Sequence, residues 1–350
     1  MQNTLDPPRV VTADRGDAGR RIDLVLRRHL TGVTSASRTR VQSWIEGGLV
    51  TVNGSVVRRA SSRAAAGDVV AIALPAAAAR RPMAHEEVAV RVLYEDEHLV
   101  IVDKPAGIVV HPTHKHPAGT LMNALLWPAR AWPPGSRPSI VGRLDKLTSG
   151  LVVVAKTAAV HAAVQREWAS PSTAKDYLAL VYGGAGAARG EIALRLRRDP
   201  GDRRRVVASA TEGAASLTMF ERLGRVRLPR MALSLLRCRL VTGRTHQIRA
   251  HLAARGWPIV GDAVYGLPLW TQIADQALAA ALRDFPRQAL HAWRVELTHP
   301  VTGMRIRAEA PVPADLSALL TLARLDTATR TAAGRPRGPN RQTLNPRPKA

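Results

Sequence analysis

The sequence predicts an α+β protein of two folded units with tails, and three observations carry that expectation. Its 350 residues exceed the roughly 100–150 usual for one domain. Short β-branched runs closed by Gly, Pro, Asn or Asp alternate with segments of helical spacing, and no repeat of solenoid length is visible. Finally, Pro75-Ala76-Ala77-Ala78-Ala79-Arg80-Arg81-Pro82 is low in complexity and bounded by proline, which marks a linker. The expected division is a flexible N-terminus over 1–19, a small α+β unit over 20–74, a linker over 75–87, a larger domain over 88–320 and a disordered basic tail over 326–350.

A hydrophobic fraction of 46% is ample for a core, but Lys+Arg 51 against Asp+Glu 27 leaves a net charge of +24. Such an excess attracts polyanions, so nucleic acid or an anionic membrane surface is the class of partner it admits. No apolar segment approaches the roughly 20 residues that cross a bilayer. The opening Met1-Gln2-Asn3-Thr4-Leu5-Asp6-Pro7-Pro8 lacks a basic start and an apolar signal core, so a cytoplasmic protein is expected. Cys238, the single cysteine, can form no internal disulfide and leaves no thiolate cluster for zinc. Arg237 and Arg239 beside it would favour a thiolate, yet its place in the alternating run Ala232 to Leu240 reads as an ordinary strand residue.

In the small unit, Ile22, Val25, Leu26 and Leu30 recur at helical spacing. A second helix follows, with Ser37 as N-cap, Val41, Trp44 and Ile45 on its apolar face, and Gly47-Gly48 at its end. Leu49 to Val52, the turn Asn53-Gly54 and Val56-Val57 form a hairpin, and Gly67-Asp68 leads into a last strand from Val69 to Leu74. Arg38 and Arg40 on the second helix, and Arg58, Arg59 and Arg63 after the hairpin, have almost no compensating acids and point to an RNA backbone. Helix pair, Asn-Gly hairpin and Gly-Asp strand together resemble the S4 RNA-binding module.

The larger domain opens with strands Val88 to Tyr94 and Leu99 to Val102, then a turn at Asp103-Lys104-Pro105-Ala106-Gly107 and a strand Ile108-Val109-Val110. His111, His114 and His116 lie close together, but Pro112 and Pro117 break any helix that would present two of them together, and Lys115 repels a cation. A border to an anionic substrate suits them better than a metal. Val141-Gly142-Arg143-Leu144-Asp145-Lys146-Leu147-Thr148-Ser149-Gly150 then reads as a loop feeding the buried strand Leu151 to Ala155, with Asp145 placed as nucleophile, base or turn acceptor. Thr157 caps a helix through Val160, Val164 and Trp168, and Lys175 to Tyr182 is a strand that carries Tyr177. Arg197, Arg198, Arg203, Arg204 and Arg205 surround Pro200-Gly201 on a basic hairpin suited to phosphates.

A second strong stretch is Thr242-Gly243-Arg244-Thr245-His246-Gln247-Ile248-Arg249. Thr245 caps a helix whose Ile248 and Leu252 face the core and which Gly256 closes. Arg244, His246, Gln247 and Arg249 then crowd the helix N-terminal turn, where free N–H groups also favour anions. A helix over Gln272 to Leu282, strands Ala289 to Thr298 and Met304 to Glu309, and a last short helix over Pro311 to Leu325 complete the pattern.

Gly142-Arg143-Leu144-Asp145-x-x-Thr148-Ser149-Gly150-Leu151, Lys175-x-Tyr177-Leu178-Ala179-Leu180-Val181, Thr242 to Arg249 and Val260-Gly261-Asp262 come in the order and separation that resemble the RluA-type pseudouridine synthases. So do Asp103 to Pro112 and Arg287-Gln288-Ala289-Leu290-His291-Ala292. With an S4-like module in front, the chain is most similar to the group that modifies large-subunit ribosomal RNA. Gly142 departs from the family, which usually has histidine there, and Lys146-Leu147 departs where a charged residue often precedes the threonine. The resemblance implies a mixed, mainly antiparallel β-sheet catalytic domain with flanking helices and loops.

It also implies the roles of the residues. Asp145 acts on the ribose, Arg249 pairs with Asp145 and keeps it ionised, and Tyr177 stacks on the uracil and helps exchange its C5 proton. Arg143 fills the space vacated by the flipped base. No metal or organic cofactor, no membrane and no obligate protein partner is implied; the substrate is ribosomal RNA, with transfer RNA as the alternative. A non-catalytic RNA-binding or ribosome-assembly factor would share the charge and the S4-like module but has no use for Asp145, Tyr177 and Arg249 together. A nucleoside hydrolase would need a second carboxylate to activate water, for which the core motifs offer only Asp176 and Asp262.

Overall fold

The computed structural model describes residues 8–30, 38–73, 90–113, 116, 118–184, 186–202 and 204–326. The linker, the tail beyond residue 326, Ser37, His114, Lys115, Arg203 and the side chain of Arg38 lie outside the described residues. The chain divides into two units, Met1–Arg81 and Pro82–Ala350.

In the first unit the segment expected to be a flexible lead-in contributes a strand instead, β1 (Arg9–Thr12). Four residues are too few to show periodicity, but they pair antiparallel along the strand that ends the unit, and Ala13 and Asp17 behind them are buried. Burial works against the Asp17 carboxylate, yet hydrogen bonds from His29 and Arg28 outweigh it and lower its pKa to about 2. Helix α1 (Ile22–His29) and helix α2 (Arg38–Glu46) bury Ile22, Val25, Leu26, Val41, Trp44 and Ile45 in one core. Strands β2 (Val50–Val52) and β3 (Ser55–Val56) are joined by Asn53 at φ 50 and Gly54 at φ 82. Two left-handed residues give the turn the twist its strands need. Strand β4 (Val69–Ile72) lies between β1 and β2 in the order β1-β4-β2-β3.

The second unit runs through β5 (Arg91–Glu95), β6 (Leu99–Lys104) and helix α3 (Leu121–Leu126). Ile108-Val109-Val110, expected as a strand, is irregular because its carbonyls have other work. Ile108 accepts from the Lys104 ammonium, while Val109 and Val110 accept from Leu121 and Met122 at the start of α3. Next come β7 (Ser139–Val141), β8 (Ser149–Ala155), α4 (Ala158–Trp168) capped by Thr157, and β9 (Ala174–Tyr182). A meander follows: β10 (Arg189–Arg198), β11 (Val206–Ser209), β12 (Ala214–Arg227) and β13 (Ala232–Leu240). The chain ends with α5 (Gln247–Ala254), α6 (Gln276–Asp284), β14 (Leu290–Thr298), β15 (Arg305–Glu309) and α7 (Ala314–Leu322). Helix α6 starts later than residue 272 because Asp275 caps it by accepting from the Leu278 N–H, after a separate 3-10 turn at Leu269–Gln272. Helix α7 is likewise shorter than expected, because Pro313 holds an extended conformation ahead of it.

One sheet carries these strands in the order β11-β10-β12-β13-β9-β14-β8-β6-β5, with β15 on β14 and β7 on β8. Every pairing is antiparallel except β8 with β14. Strand β8 is apolar throughout because both faces are covered: Leu151 and Val153 pack toward α4, Val152 and Val154 toward α3. Helices α5, α6 and α7 bury Ile248, Leu252, Leu278, Leu282, Leu316 and Leu319 with the residues of β9, β13 and β14.

The parallel joint is short and specific. His291 stands beside Ser149 and Ala292 beside Gly150. Gly150 has φ 111, and a Cβ there would stand 2.1 Å from the Ala292 carbonyl oxygen, so no other residue fits without separating the strands. Gly150→Ala is expected to yield insoluble or unfolded protein on expression; a soluble variant with the native circular dichroism spectrum would refute the joint.

Two buried histidines tie stability to pH. His251 lies between the hydroxyls of Ser216 and Thr218, and His291 between the Ser149 hydroxyl and the Ala310 carbonyl. Burial pushes both down to about 4. The unfolded chain takes up these protons near pH 6.5, the folded chain only near 4, so the stability they contribute above pH 6.5 is lost progressively as pH falls to 4. The urea midpoint of the full chain should therefore fall between pH 6.5 and 4, and His251→Gln should flatten that slope. An unchanged slope in the variant would count against the buried neutral imidazole.

Candidate active site

The loop between β7 and β8 holds Asp145 and is pinned from both sides. The Lys146 carbonyl accepts from the Gly107 N–H at 2.8 Å and from the Lys104 ammonium at 3.2 Å. Lys104 is fully buried and also donates to the Pro105 and Ile108 carbonyls, so its three N–H donors each have an acceptor. Burial, and then the charge of Arg287, pull its pKa down to about 7. On the opposite side, Gln288 donates to the Thr148 hydroxyl at 3.1 Å, and Ser149 and His291 share a hydrogen bond. Within the loop the Thr148 N–H donates to the Asp145 carbonyl, closing the turn.

Arg249, on the first turns of α5, connects this loop to the rest of the site. Its Nη1 donates to Asp145 Oδ2 at 2.8 Å, while Nε and Nη2 donate to Asp262 at 2.6 and 2.7 Å. Arg249 and Asp262 are 5% and 4% exposed, so this bidentate pair is formed away from water. Burial alone would favour the uncharged guanidine, but the hydrogen bonds and charges of Asp262 and Asp145 outweigh it and raise the Arg249 pKa. Asp262 is lowered in turn: its burial is outweighed by Arg249 and by the N–H groups of Val264 and Tyr265.

His246 sits at φ 54 as the residue before α5, with Nε2 3.7 Å from Asp145 Oδ2 and Nδ1 3.2 Å from the Tyr265 hydroxyl. Burial lowers its pKa, with the charge of Asp145 acting in the opposite sense. Tyr177 projects from β9 into the same cleft, and burial, then the nearby Asp145, hold its phenol above the ordinary tyrosine range. The cleft has two arms that share Asp145 and Tyr177. One, of about 60 Å³, runs past Arg249 to Ile248 and Leu290; the other, of about 220 Å³, runs to Gly142, Trp168 and Lys175.

The structure thus brings Asp145, Tyr177, Arg249, Arg143, Arg244 and His246 around one cleft. Arg143 is exposed and donates to the Thr245 hydroxyl at 2.8 Å. That contact corrects the helix cap expected at Thr245, because the left-handed His246 occupies the cap position and makes no side-chain cap bond. Gln247 was expected to face substrate and does not, although it borders the cleft. It is 2% exposed, donates to the Leu217 carbonyl and Thr218 hydroxyl, and accepts from Arg244 N–H and Thr242, fastening α5 to β12. Arg40, Arg58 and Arg59 are exposed on the first unit, and Arg58 donates to the Glu46 carbonyl at the end of α2. Cys238 is buried in β13, and burial raises its thiol to about 12. The network roles of Asp262 and Lys104 were missed, since each reads in the sequence as part of a Gly- or Pro-containing turn.

The RNA pseudouridylate synthase family model matches residues 98–254, and the S4 domain model matches residues 20–70. The chain is 41% identical over 321 residues to "Ribosomal large subunit pseudouridine synthase D" of Xylella fastidiosa, covering 91% of this chain and 94% of that one. The protein of the same name from Pseudomonas aeruginosa is 40% identical over 294 residues, covering 83% and 88%. Among solved structures, Human RNA Pseudouridylate Synthase Domain Containing 4 shares the fold, with a TM-score of 0.51 at 23% identity over 67% of this chain and 92% of that one.

Removing one member of a buried ion pair strips most of the compensation from the other charge, and without Asp262 the buried Arg249 keeps only its single bond to the part-exposed Asp145. Asp262→Ala is therefore expected to destabilise the protein by about 3–5 kcal/mol in denaturant unfolding. A loss below about 1 kcal/mol would mean that Arg249 does not depend on this partner.

Proposed function

Since the chain belongs to the RNA pseudouridylate synthase family, we propose that it isomerises uridines of large-subunit ribosomal RNA, with Asp145 as the group that acts on the ribose. The observation that carries this reading is the bond from the buried Arg249 to Asp145, which aims a carboxylate into a cleft that Tyr177 also lines. The ribosomal names of the relatives, the S4 match and the net charge of +24 support the class of substrate. Among the described residues no helix is long and apolar enough to cross a membrane, and a cytoplasmic setting accords with such a substrate.

The isomerisation breaks N1–C1′, turns the uracil and joins C5 to C1′. N1 gains a proton at the end and C5 gives one up, so neither water nor a redox partner is consumed. A paired or stacked uridine must first be flipped out, at a cost of a few kcal/mol. Asp145 then faces the sugar, with its direction set by Arg249. The Tyr177 phenol is held protonated by its burial, so it takes the C5 proton only while passing on its own. Arg143, exposed beside the cleft, enters the space that the base leaves. Arg40, Arg58, Arg59 and Arg244 supply phosphate contacts. Asp176 and Asp262 are each paired bidentately with an arginine, Arg239 and Arg249. Neither is available to activate a water, which counts against hydrolysis of the nucleoside.

The full chain is expected to release tritium from ribosomal RNA labelled at uridine C5, and Asp145→Asn to abolish release while RNA binding survives. An active Asp145→Asn variant would overturn the assignment. Mapping pseudouridines with and without the gene should show losses in large-subunit ribosomal RNA; losses confined to transfer RNA would overturn the substrate. Arg40→Ala with Arg59→Ala should weaken binding and reduce the slope of log affinity against log salt by about one per phosphate contact removed. An unchanged slope would remove the first unit from the RNA interface.

A further inference from the structure

The cleft continues past Asp145 and Tyr177 into a second arm with a chemistry of its own. Asp145, Tyr177 and Arg249 cluster around the arm of about 60 Å³. The arm of about 220 Å³ continues to a wall formed by Gly142, Trp168 and Lys175. Gly142 has φ 76, and a Cβ there would approach the Trp168 indole nitrogen to 3.4 Å. A side chain at 142 would therefore rest against the indole edge, and glycine leaves that edge uncovered.

The donors on this wall are not used up. The indole N–H of Trp168 has no hydrogen-bond partner among the described residues. Lys175 is 8% exposed, and its ammonium makes one hydrogen bond, to the Trp168 carbonyl at 2.8 Å, while lying 5.4 Å from the indole ring centre. An ammonium has three donors, so two remain. Arg143 and Arg244 border the same arm. A wall with two side-chain donors on neighbouring residues in space matches a base edge with two neighbouring acceptors, as at O6 and N7 of guanine, and a positive rim matches the phosphate that follows such a base.

We infer that this arm is a second nucleobase pocket, in which Trp168 and Lys175 take a base adjacent to the target uridine out of its stack and hold it by its acceptor edge. The inference rests on the reading of Asp145 and Tyr177 as the uracil site. Capture of a neighbour holds the RNA strand open on one side of the target, so the pocket acts on substrate affinity and on the choice of site rather than on bond making.

The test uses the full chain and a large-subunit ribosomal RNA transcript with a mapped target uridine labelled at C5. In two further transcripts the nucleotide immediately 5′ or 3′ of the target is abasic. With the native protein, one of the two abasic transcripts is expected to raise KM about tenfold, the order expected for one lost base contact, with kcat little changed. Trp168→Phe and Lys175→Met should each raise KM for the intact transcript and should abolish most of the further penalty for the abasic one. A merely structural defect would multiply with the abasic penalty, so independent effects in variants with native circular dichroism overturn the pocket. So does the absence of a penalty for both abasic transcripts. A fall in kcat alone in Trp168→Phe would place the target uracil itself in this arm and also overturn the proposal. Failure of the native chain to release tritium from any transcript would instead strike at the catalytic reading beneath it.

Discussion

Arg249 is the hinge on which the site's architecture turns. Its guanidinium joins Asp145, on the loop after β7, to Asp262, on a turn after α5. A planar cation with five donors meets two carboxylates at once, which a lysine at that position would not do. One carboxylate is buried and takes the bidentate pair; the other is partly open to the cleft and takes a single bond. That division leaves the other Asp145 oxygen without a hydrogen-bond partner among the described residues. The arginine that fixes Asp145 is itself held by a second acid, Asp262.

The same economy appears around the loop. Its position depends on Lys104 and Gly107 on one side and on Gln288 and His291 on the other, all bonded to its backbone or to its hydroxyls. These contacts leave the side chains of Arg143 and Asp145 outside the pinned backbone. The backbone of the loop is thereby held from both sides, while Asp145 and Arg143 are held separately through their side chains, by Arg249 and Thr245.

Much of this was readable in the residues. Amphipathic spacing placed α1, α4 and α5, and the Asn53-Gly54 turn placed the first hairpin, because each depends on neighbours in sequence. The candidate site followed from the spacing of Asp145, Tyr177 and Arg249 in motifs that resemble a known family. What was not readable depended on partners distant in the chain. Strand β1 is visible only against β4, and Ile108 to Val110 looked like a strand until its carbonyls met Lys104 and α3. Gln247 looked like a surface donor because nothing local says that Leu217 and Thr218 pack against it. Gly142, at odds with the resemblance, acquires a physical account from its left-handed backbone and the indole beside it.

The joint between β8 and β14 bears on synthesis as well as on architecture. Ser149 and His291, which meet there, are 142 positions apart. Everything between them must leave the ribosome before the loop carrying Asp145 is secured from its second side. Closing so long a loop is entropically costly and slow compared with local helix formation. A nascent chain therefore completes its small first unit well before the loop that carries Asp145 is held from its second side.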